Sequence, residues 1–439
     1  MRTKKQLCIG LSLTATWLKG NSWCREDSNV ENLYSSDFYL ELAQKAEKAK
    51  LDFVFKADAL LLHVDVLDHT PGFSSPDSTI MLASIARETE RIGLITTTST
   101  TFNPPYVVAR QLQSLNWISK GRAGWNMVTA IGGAENFSNA PMPSSKERYT
   151  KAMEFADVVH KLWRSYPHDA LWVDRKTGRY ADREKICAIE HSGEYFSVKG
   201  PLNVPAYSPD SLPLLQAGAS ESGRHFAASV ADAVFAATPD IAAGIELRED
   251  LRRRASNQGR HPDEIRVLPG MYLFLGKTRD EARELHHEAH AHMTIKHRYS
   301  AIQSILGMDI SHLSMDCPVT ADMLPDLFQP THSQTHTNLL RRLIINEQPA
   351  VRDLLSRPEV VGSAYWIIVG TVEDALREII TWHEAGALDG FIALPGGSMQ
   401  SMSLFFDELV PMLADQGLFR KEYTGSTLSE HLGMNTKAI

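Results

Sequence analysis

Short apolar runs alternate with longer amphipathic stretches along nearly the whole chain. Residues 7–13 read as a strand, and residues 37–49 set Phe38, Leu42, Ala46 and Ala49 at helical spacing. Further strands are predicted at 53–57, 92–97, 123–128, 212–216, 233–236, 267–275 and 390–394. Helices are predicted between and after them at 79–88, 107–118, 147–163, 223–230, 241–256, 279–297, 372–385 and 401–415. The pattern therefore supplies eight strands, each followed by a helix.

Strand–helix alternation of this kind calls for right-handed crossovers and a parallel sheet, and eight such units are the number that closes a barrel. The expected fold is an α/β (β/α)8 TIM barrel with insertions after the fourth and seventh strands. An open doubly wound sheet would show the same alternation. No low-complexity linker, charge run or fixed-period repeat separates domains, so residues 1–439 are expected to form one barrel domain, with insertions at about 150–211 and 298–362. Since a barrel uses about 250 residues, the remaining chain, in the insertions and a tail after Asp415, is expected to roof a pocket.

Composition narrows the ligand class. The chain has 439 residues, 43% hydrophobic and 22% charged, with a formal net charge of -8. That balance gives no electrostatic reason to expect nucleic acid or an anionic membrane as a partner, which leaves small molecules. Cys8, Cys24, Cys187 and Cys317 are widely spaced, so neither a disulfide framework nor a thiolate metal site is indicated, and a cytoplasmic setting fits. The basic start is followed by an apolar run broken by Ser12, Thr14, Thr16 and Lys19, unlike a signal peptide, and no run is long enough to span a membrane.

In a barrel of this type the site lies at the carboxyl ends of the strands. The polar residues there are Thr14, Asp58, Thr98 to Thr101, Asn126, Thr129 and the segment 218–222. All but Asp58 and Glu221 are neutral, so they make a hydrogen-bonding ring and not a metal cage. In the segment 212–228 (LPLLQAGASESGRHFAA) a strand ends at Gln216, Gly218 allows a tight turn, and Ser220 stands where a helix N-cap is expected. Free amides at a helix N-terminus, with hydroxyls, make a phosphate site without lysine; an ordinary capped strand-turn-helix is the alternative. Ser222 occupies the place where a nucleophile elbow needs glycine, which argues against a serine hydrolase.

With Asn126 and Ser220 in view, the chain resembles the bacterial luciferase-like flavin monooxygenases, in the branch of nitrilotriacetate and dibenzothiophene sulfone monooxygenases. The resemblance runs almost end to end. It is carried by Ala57 and Asp58, the runs 90–94 (ERIGL), 98–102 (TSTTF) and 121–129 (GRAGWNMVT), Arg148, Tyr149 and Phe155, and residues of 191–202, 216–224 and 417–428. It implies a barrel that binds reduced FMN delivered by a separate NAD(P)H-dependent flavin reductase and uses dioxygen to oxygenate a small organic substrate, with C–N or C–S cleavage among the outcomes. It also implies a homodimer or homotetramer. By the same resemblance Asp58, Thr98, Tyr149 and Ser220 contact flavin, Ala219 contributes backbone at the phosphate, and no metal is used.

Two positions depart from the family. The family usually has His four residues before the tyrosine of the Arg148–Tyr149 pair; here Ser145 stands there, able to hydrogen-bond flavin but not to act as acid or base near neutrality. Trp23 and Arg25 are split by Cys24, where the family commonly has Trp and Arg adjacent. No catalytic residue is assigned. Plainer readings stand beside these: Asp58 capping a loop, Tyr149 as a core aromatic, and the threonine run as plain strand preference. The histidine-rich run 286–297 misses the HExxH spacing and reads as a solvated helix. Alternatives on the same barrel are a deazaflavin-dependent oxidoreductase, with Arg224 the one basic residue near, and a non-enzymatic flavin-binding protein.

Overall fold

The computed structural model describes residues 6–13, 18–325 and 334–434; Thr14 lies outside them. Strands β1 (Cys8–Ser12), β2 (Phe53–Lys56), β3 (Gly93–Ser99) and β4 (Ala123–Val128) pair side by side in parallel. Two small antiparallel pairs follow, β5 (Leu171–Asp174) with β6 (Arg179–Ala181) and β7 (His191–Ser192) with β8 (Ser197–Val198). The parallel order resumes with β9 (Leu214–Ala217), β10 (Ala233–Ala236), β11 (Arg266–Leu275), β12 (Trp366–Gly370) and β13 (Gly390–Pro395). The ring closes because β13 pairs with β1 on one edge, Ile9 opposite Phe391, and with β11 on the other, Gly270 opposite Ile392.

The strand β12 has no counterpart in the sequence prediction. Along one edge of the ten-residue β11, residues Arg266 to Pro269 pair with β10 and Met271 to Leu275 pair with β12. Pro269, lacking an N–H, stands where the ladder to β10 ends. The eight other parallel strands form the closed barrel, and β12 prolongs its wall.

Period-two alternation sorts the side chains. Phe53, Phe55, Ile95, Leu215, Leu268 and Ile392 fill the barrel, while Ile9, Leu11, Val54, Leu94, Trp125 and Met127 pack outward on the helices. Those helices are α1 (Ser36–Lys48), α2 (Ser78–Arg87), α3 (Pro105–Ile118), α4 (Ser145–Arg164), α5 (Glu221–Val230) and α6 (Ile241–Asn257). Five of the six begin at a side-chain cap: Ser35, Asp77, Ser144, Ser220 and Asp240 each accept from an amide of the first turn.

Between β11 and β12 lie α7 (Arg279–His290), α8 (Ile295–Leu306), α9 (Gln334–Glu347), α10 (Val351–Leu354) and α11 (Pro358–Val361). The single helix expected over 279–297 is thus two, because Thr294 caps a new helix by accepting from the His297 amide. Ile302, Leu306, Leu340, Ile344, Val351 and Leu354 give this stretch a small core of its own. The chain ends through α12 (Val372–Glu384), α13 (Met399–Leu404), a π-helical turn at Phe405–Leu409, α14 (Val410–Asp415) and α15 (Leu428–His431).

The described part of the tail after Asp415, to residue 434, does not roof the pocket. Leu428 and Leu432 enter the barrel from its amino end, packing with Phe53, Ile95 and Leu215. Glycines at the starts of β3 and β4 make room: a Cβ on Gly124, the second residue of β4, would lie 2.7 Å from Leu428 Cδ2, and one on Gly93, the first of β3, would collide with Leu428 Cδ1. Arg420 pairs with the buried Asp52, whose other oxygen accepts from the Ile9 amide at 2.7 Å. These contacts explain the sequence motifs at 90–94, 121–129 and 417–428 as one plug.

Candidate functional site

The carboxyl end of the barrel gathers polar atoms that are buried and unsatisfied. Inside the barrel, Asn126 on β4 lies opposite Thr97 on β3; its amide donates to Thr97 Oγ1 at 3.0 Å, and Thr97 in turn donates to the Lys56 carbonyl at 2.8 Å. That chain leaves Asn126 Oδ1 without a partner among the described residues, and Ser12 Oγ on β1 is in the same state. Thr98 and Gln216 are aligned on either side of Met127 across β3, β4 and β9 and, like Met127, face the helices; Thr98 Oγ1 and Gln216 Oε1 are buried and unpaired on that side. Unpaired buried polar atoms cost about 1–3 kcal/mol each, so the two that face the barrel interior, Asn126 Oδ1 and Ser12 Oγ, point to a ligand that completes them.

The turn from β9 into α5 builds the second part. Ser220 caps α5, its side chain accepting from the Gly223 amide at 3.2 Å, while the amides of Glu221 and Ser222 have no acceptor inside the helix. Tyr149 reaches this turn from α4. A Cβ on Gly218 would lie 2.8 Å from the Tyr149 hydroxyl oxygen, and one on Gly223 would lie 2.9 Å from it. Only glycine leaves that oxygen its place. The Ala219 carbonyl is fixed by Arg224 Nε at 2.9 Å, and the rest of that guanidinium is engaged by Glu246 and Asp250. Glu221, the one acid in the first turn, is drawn aside by Arg254 at 2.7 and 2.8 Å.

Asp58 follows β2, where its carboxylate accepts from the Ala59 and Ser78 amides at 2.8 and 3.2 Å. Burial raises its pKa above the usual carboxylate range, against the pull of the Ser78 amide and Lys56. Lys56, fully buried, donates to Ser75 Oγ at 2.8 Å, and burial brings its pKa down to about 8. Asp58 therefore does what the plainer reading expected, closing a loop, and does so at the barrel mouth. Ser145 is exposed as the first residue of α4, one turn before Tyr149. The structure thus brings Tyr149, Ala219 and Ser220 to one turn and leaves Thr98 on β3, facing the helices, Asp58 in the loop after β2, and Ser145 exposed one turn before Tyr149.

Several features went unread in the sequence. Tyr272, Tyr365 and Phe235 line the opposite side of the barrel mouth, with ring centroids 6.0 Å apart for the first pair and 5.2 Å for the second. Apolar runs containing tyrosine gave no sign of which face they present. The histidine-rich run is solvated on one face only: His287 and His297 are exposed, whereas His290 is 5% exposed and His286 and His290 pack on Phe274. No group of three metal-ligating side chains occurs among the described residues.

Residues 23–389 match the luciferase-like monooxygenase family, to which the chain belongs. Three relatives share the full architecture in sequence. It is 34% identical over 438 residues to N-acetyl-S-(2-succino)cysteine monooxygenase of Bacillus subtilis (strain 168), covering 98% of this chain and 97% of that one. Nitrilotriacetate monooxygenase component A of Aminobacter aminovorans is 34% identical, covering 99% and 98%, and dibenzothiophene-sulfone monooxygenase of Rhodococcus erythropolis is 33% identical, covering 95% and 94%. A riboflavin lyase solved with modified FMN and its substrate riboflavin superposes with a TM-score of 0.84 at 29% identity, covering 98% of this chain and 97% of that one. The resemblance read from the motifs is therefore borne out, as is the barrel.

Proposed function

We propose that the protein is an FMN-dependent monooxygenase that takes reduced FMN from a separate NAD(P)H-dependent reductase and uses dioxygen to oxygenate a small organic substrate. The observation that carries this reading is the turn at 218–223, where capped helix amides and the Tyr149 hydroxyl surround a space kept open by two glycines. That cradle suits a phosphate monoester. Ser220 and the Ala219 backbone would hold it, with Tyr149 beside it and Ser145 one turn earlier on α4. Asp58 and the carboxyl end of β3 at Thr98 would contact the flavin, and the unpaired Asn126 and Ser12 oxygens would meet polar atoms of the ring or substrate. Reduced FMN supplies the electrons with which dioxygen is activated. The aromatic lining of the mouth excludes the water that would otherwise divert those electrons to hydrogen peroxide.

The relative called component A supports a two-component system. Relatives named for nitrilotriacetate and dibenzothiophene sulfone support a substrate in which a C–N or C–S bond is cleaved. The deazaflavin alternative loses its one basic candidate, since Arg224 is committed to Glu246 and Asp250. One barrel domain over residues 1–439, a homodimer or homotetramer and a cytoplasmic setting complete the proposal; among the described residues no helix is long and apolar enough to cross a membrane.

The test is to mix photoreduced FMN with excess protein in aerated buffer and follow the return of oxidised flavin together with peroxide. The protein is expected to slow both. Reoxidation and peroxide release at the rates of free reduced FMN would overturn the proposal.

A further inference from the structure

Helix α7 lies across the carboxyl end of the barrel. Its first residue, Arg279, pairs with Asp374 beyond the end of β12; Leu285 Cβ is 3.0 Å from a Cβ built on Gly397, beyond β13; and its end packs against Gly20 in the loop after β1. This path delivers His290 and, just after the helix, His292 to the mouth beside Lys19.

The corner so formed holds one cation, Lys19, beside two imidazoles whose pKa burial lowers. The Lys19 ammonium sits 4.9 Å from the centre of the Tyr272 ring, and burial brings its pKa down to about 8 with no carboxylate among the described residues acting on it. His290 Nδ1 donates to the His286 carbonyl at 2.8 Å, which leaves Nε2 buried without a partner; His292 Nδ1 is buried without one as well. The Gly20 backbone holds the His292 ring in place, a Cβ there falling 3.0 Å from its Cε1. The nearest acid on α7, Glu288, is taken by Arg25 at 2.8 Å. The half-buried ammonium lacks a counter-charge among the described residues and both rings have a nitrogen without a partner; a carboxylate would pair with the ammonium, and each neutral imidazole would meet it as a donor only by taking up a proton, which the anion's charge favours.

Position separates this corner from the flavin cradle. The residues assigned to flavin stand on or after β2, β3 and β9 and on α4, whereas Lys19, Tyr272 and α7 belong to the opposite arc, β11, β13 and the loop after β1. A molecule lying between the two arcs would have the Tyr272, Tyr365 and Phe235 rings along its body and Lys19 at its end.

We propose that Lys19, His290 and His292 form an anion subsite at the barrel mouth that takes a carboxylate of the substrate. The word substrate rests on the monooxygenase reading; the subsite does not.

Calorimetric titration of the full-length protein with thiodiacetate, succinate and phenylacetate, and with the uncharged diamide of thiodiacetate, tests this with FMN present and absent. At least one acid is expected to bind, with the diamide weaker by about tenfold or more. Lys19→Met should weaken the acid by about tenfold or more, and Lys19→Arg should restore it to within about threefold, which separates lost charge from lost fold. FMN affinity should be the same in Lys19→Met as in the parent. No heat from any acid, equal binding of acid and diamide, or an unaltered Lys19→Met would overturn the proposal. So would a Lys19→Met protein that loses FMN while keeping the acid, since the corner would then serve the flavin phosphate. Acid binding that persists in a protein unable to slow FMN reoxidation would remove the monooxygenase reading and leave the subsite standing.

Discussion

The hydroxyl of Tyr149 and the α-carbon of Gly218 share a space too small for one more carbon: a Cβ on the glycine would lie 2.8 Å from the oxygen and 2.7 Å from Gln216 Nε2. Gly218→Ala should therefore push the tyrosine off the α5 terminus without straining the backbone. Tyr149→Phe removes the oxygen alone. Anaerobic titration with reduced FMN is expected to show a loss of about 1 kcal/mol for Tyr149→Phe, the worth of one hydrogen bond, and a larger loss for Gly218→Ala. Affinity untouched by both would separate this turn from the phosphate.

Ser220 has two tasks in this structure, and they can be measured apart. As cap of α5 it accepts from the Gly223 amide, so Ser220→Ala should lower unfolding stability by about 1 kcal/mol. As a proposed phosphate ligand its loss should also weaken reduced FMN by about 1–3 kcal/mol. Denaturant unfolding reads the first and flavin titration the second. Ser220→Gly, a tolerable cap, should recover most of the stability and none of the affinity.

Ser145 heads α4 with its side chain exposed, so Ser145→His should change stability by no more than about 0.5 kcal/mol. Its side chain points from the same helix as Tyr149, one turn earlier. If the missing imidazole limits proton handling at the flavin, Ser145→His should lower peroxide release per FMN oxidised. Equal release in both proteins would show that this position does not set coupling.

The barrel was legible because its signals are local. Eight apolar runs and their capped helices require no knowledge of distant chain, and the Ser220 turn could be read from eight consecutive residues. What escaped was non-local. Trp366–Gly370 is a strand only because β11 outruns β10 and offers a free edge. His286 and His290 look like part of a solvated face until α7 is laid over the barrel mouth. Leu428 looks like a tail residue until Gly93 and Gly124 leave it a hole. The site divides in the same way: the turn at 218–223 was read from its own sequence, whereas Lys19 and Tyr272 meet only through the closure of β13 on β1 and β11.

That plug makes a stability prediction independent of flavin. Leu428 is fully buried at the amino end of the barrel, far along the strands from the carboxyl-end residues. Leu428→Ala should cost about 2–5 kcal/mol in urea unfolding, as for other leucines removed from close-packed cores. Reduced-FMN affinity should stay the same. A loss of affinity equal to that of Ser220→Ala would show that the plug and the turn are coupled.

Acid sensitivity should also originate in the plug. His431 stacks on Tyr423 with centroids 4.8 Å apart and has a buried, unpaired Nδ1; burial, with Arg420 near, brings its pKa down to about 3. The unfolded chain holds this imidazole near its ordinary value, so between these limits the unfolded state binds more protons than the folded one. Stability is then complete above about pH 6.5 and falls as the solution is acidified, by roughly 2 kcal/mol from this group at pH 5. His290, lowered to about 4, acts in the same direction, and Asp52, raised to about 6 by burial, acts against both. The informative quantity is therefore the difference between parent and His431→Phe, which keeps a ring against Tyr423 and removes the titrating nitrogens. The variant should lose less stability between pH 7.5 and pH 5 than the parent does, and parallel losses would place the acid-sensitive group elsewhere.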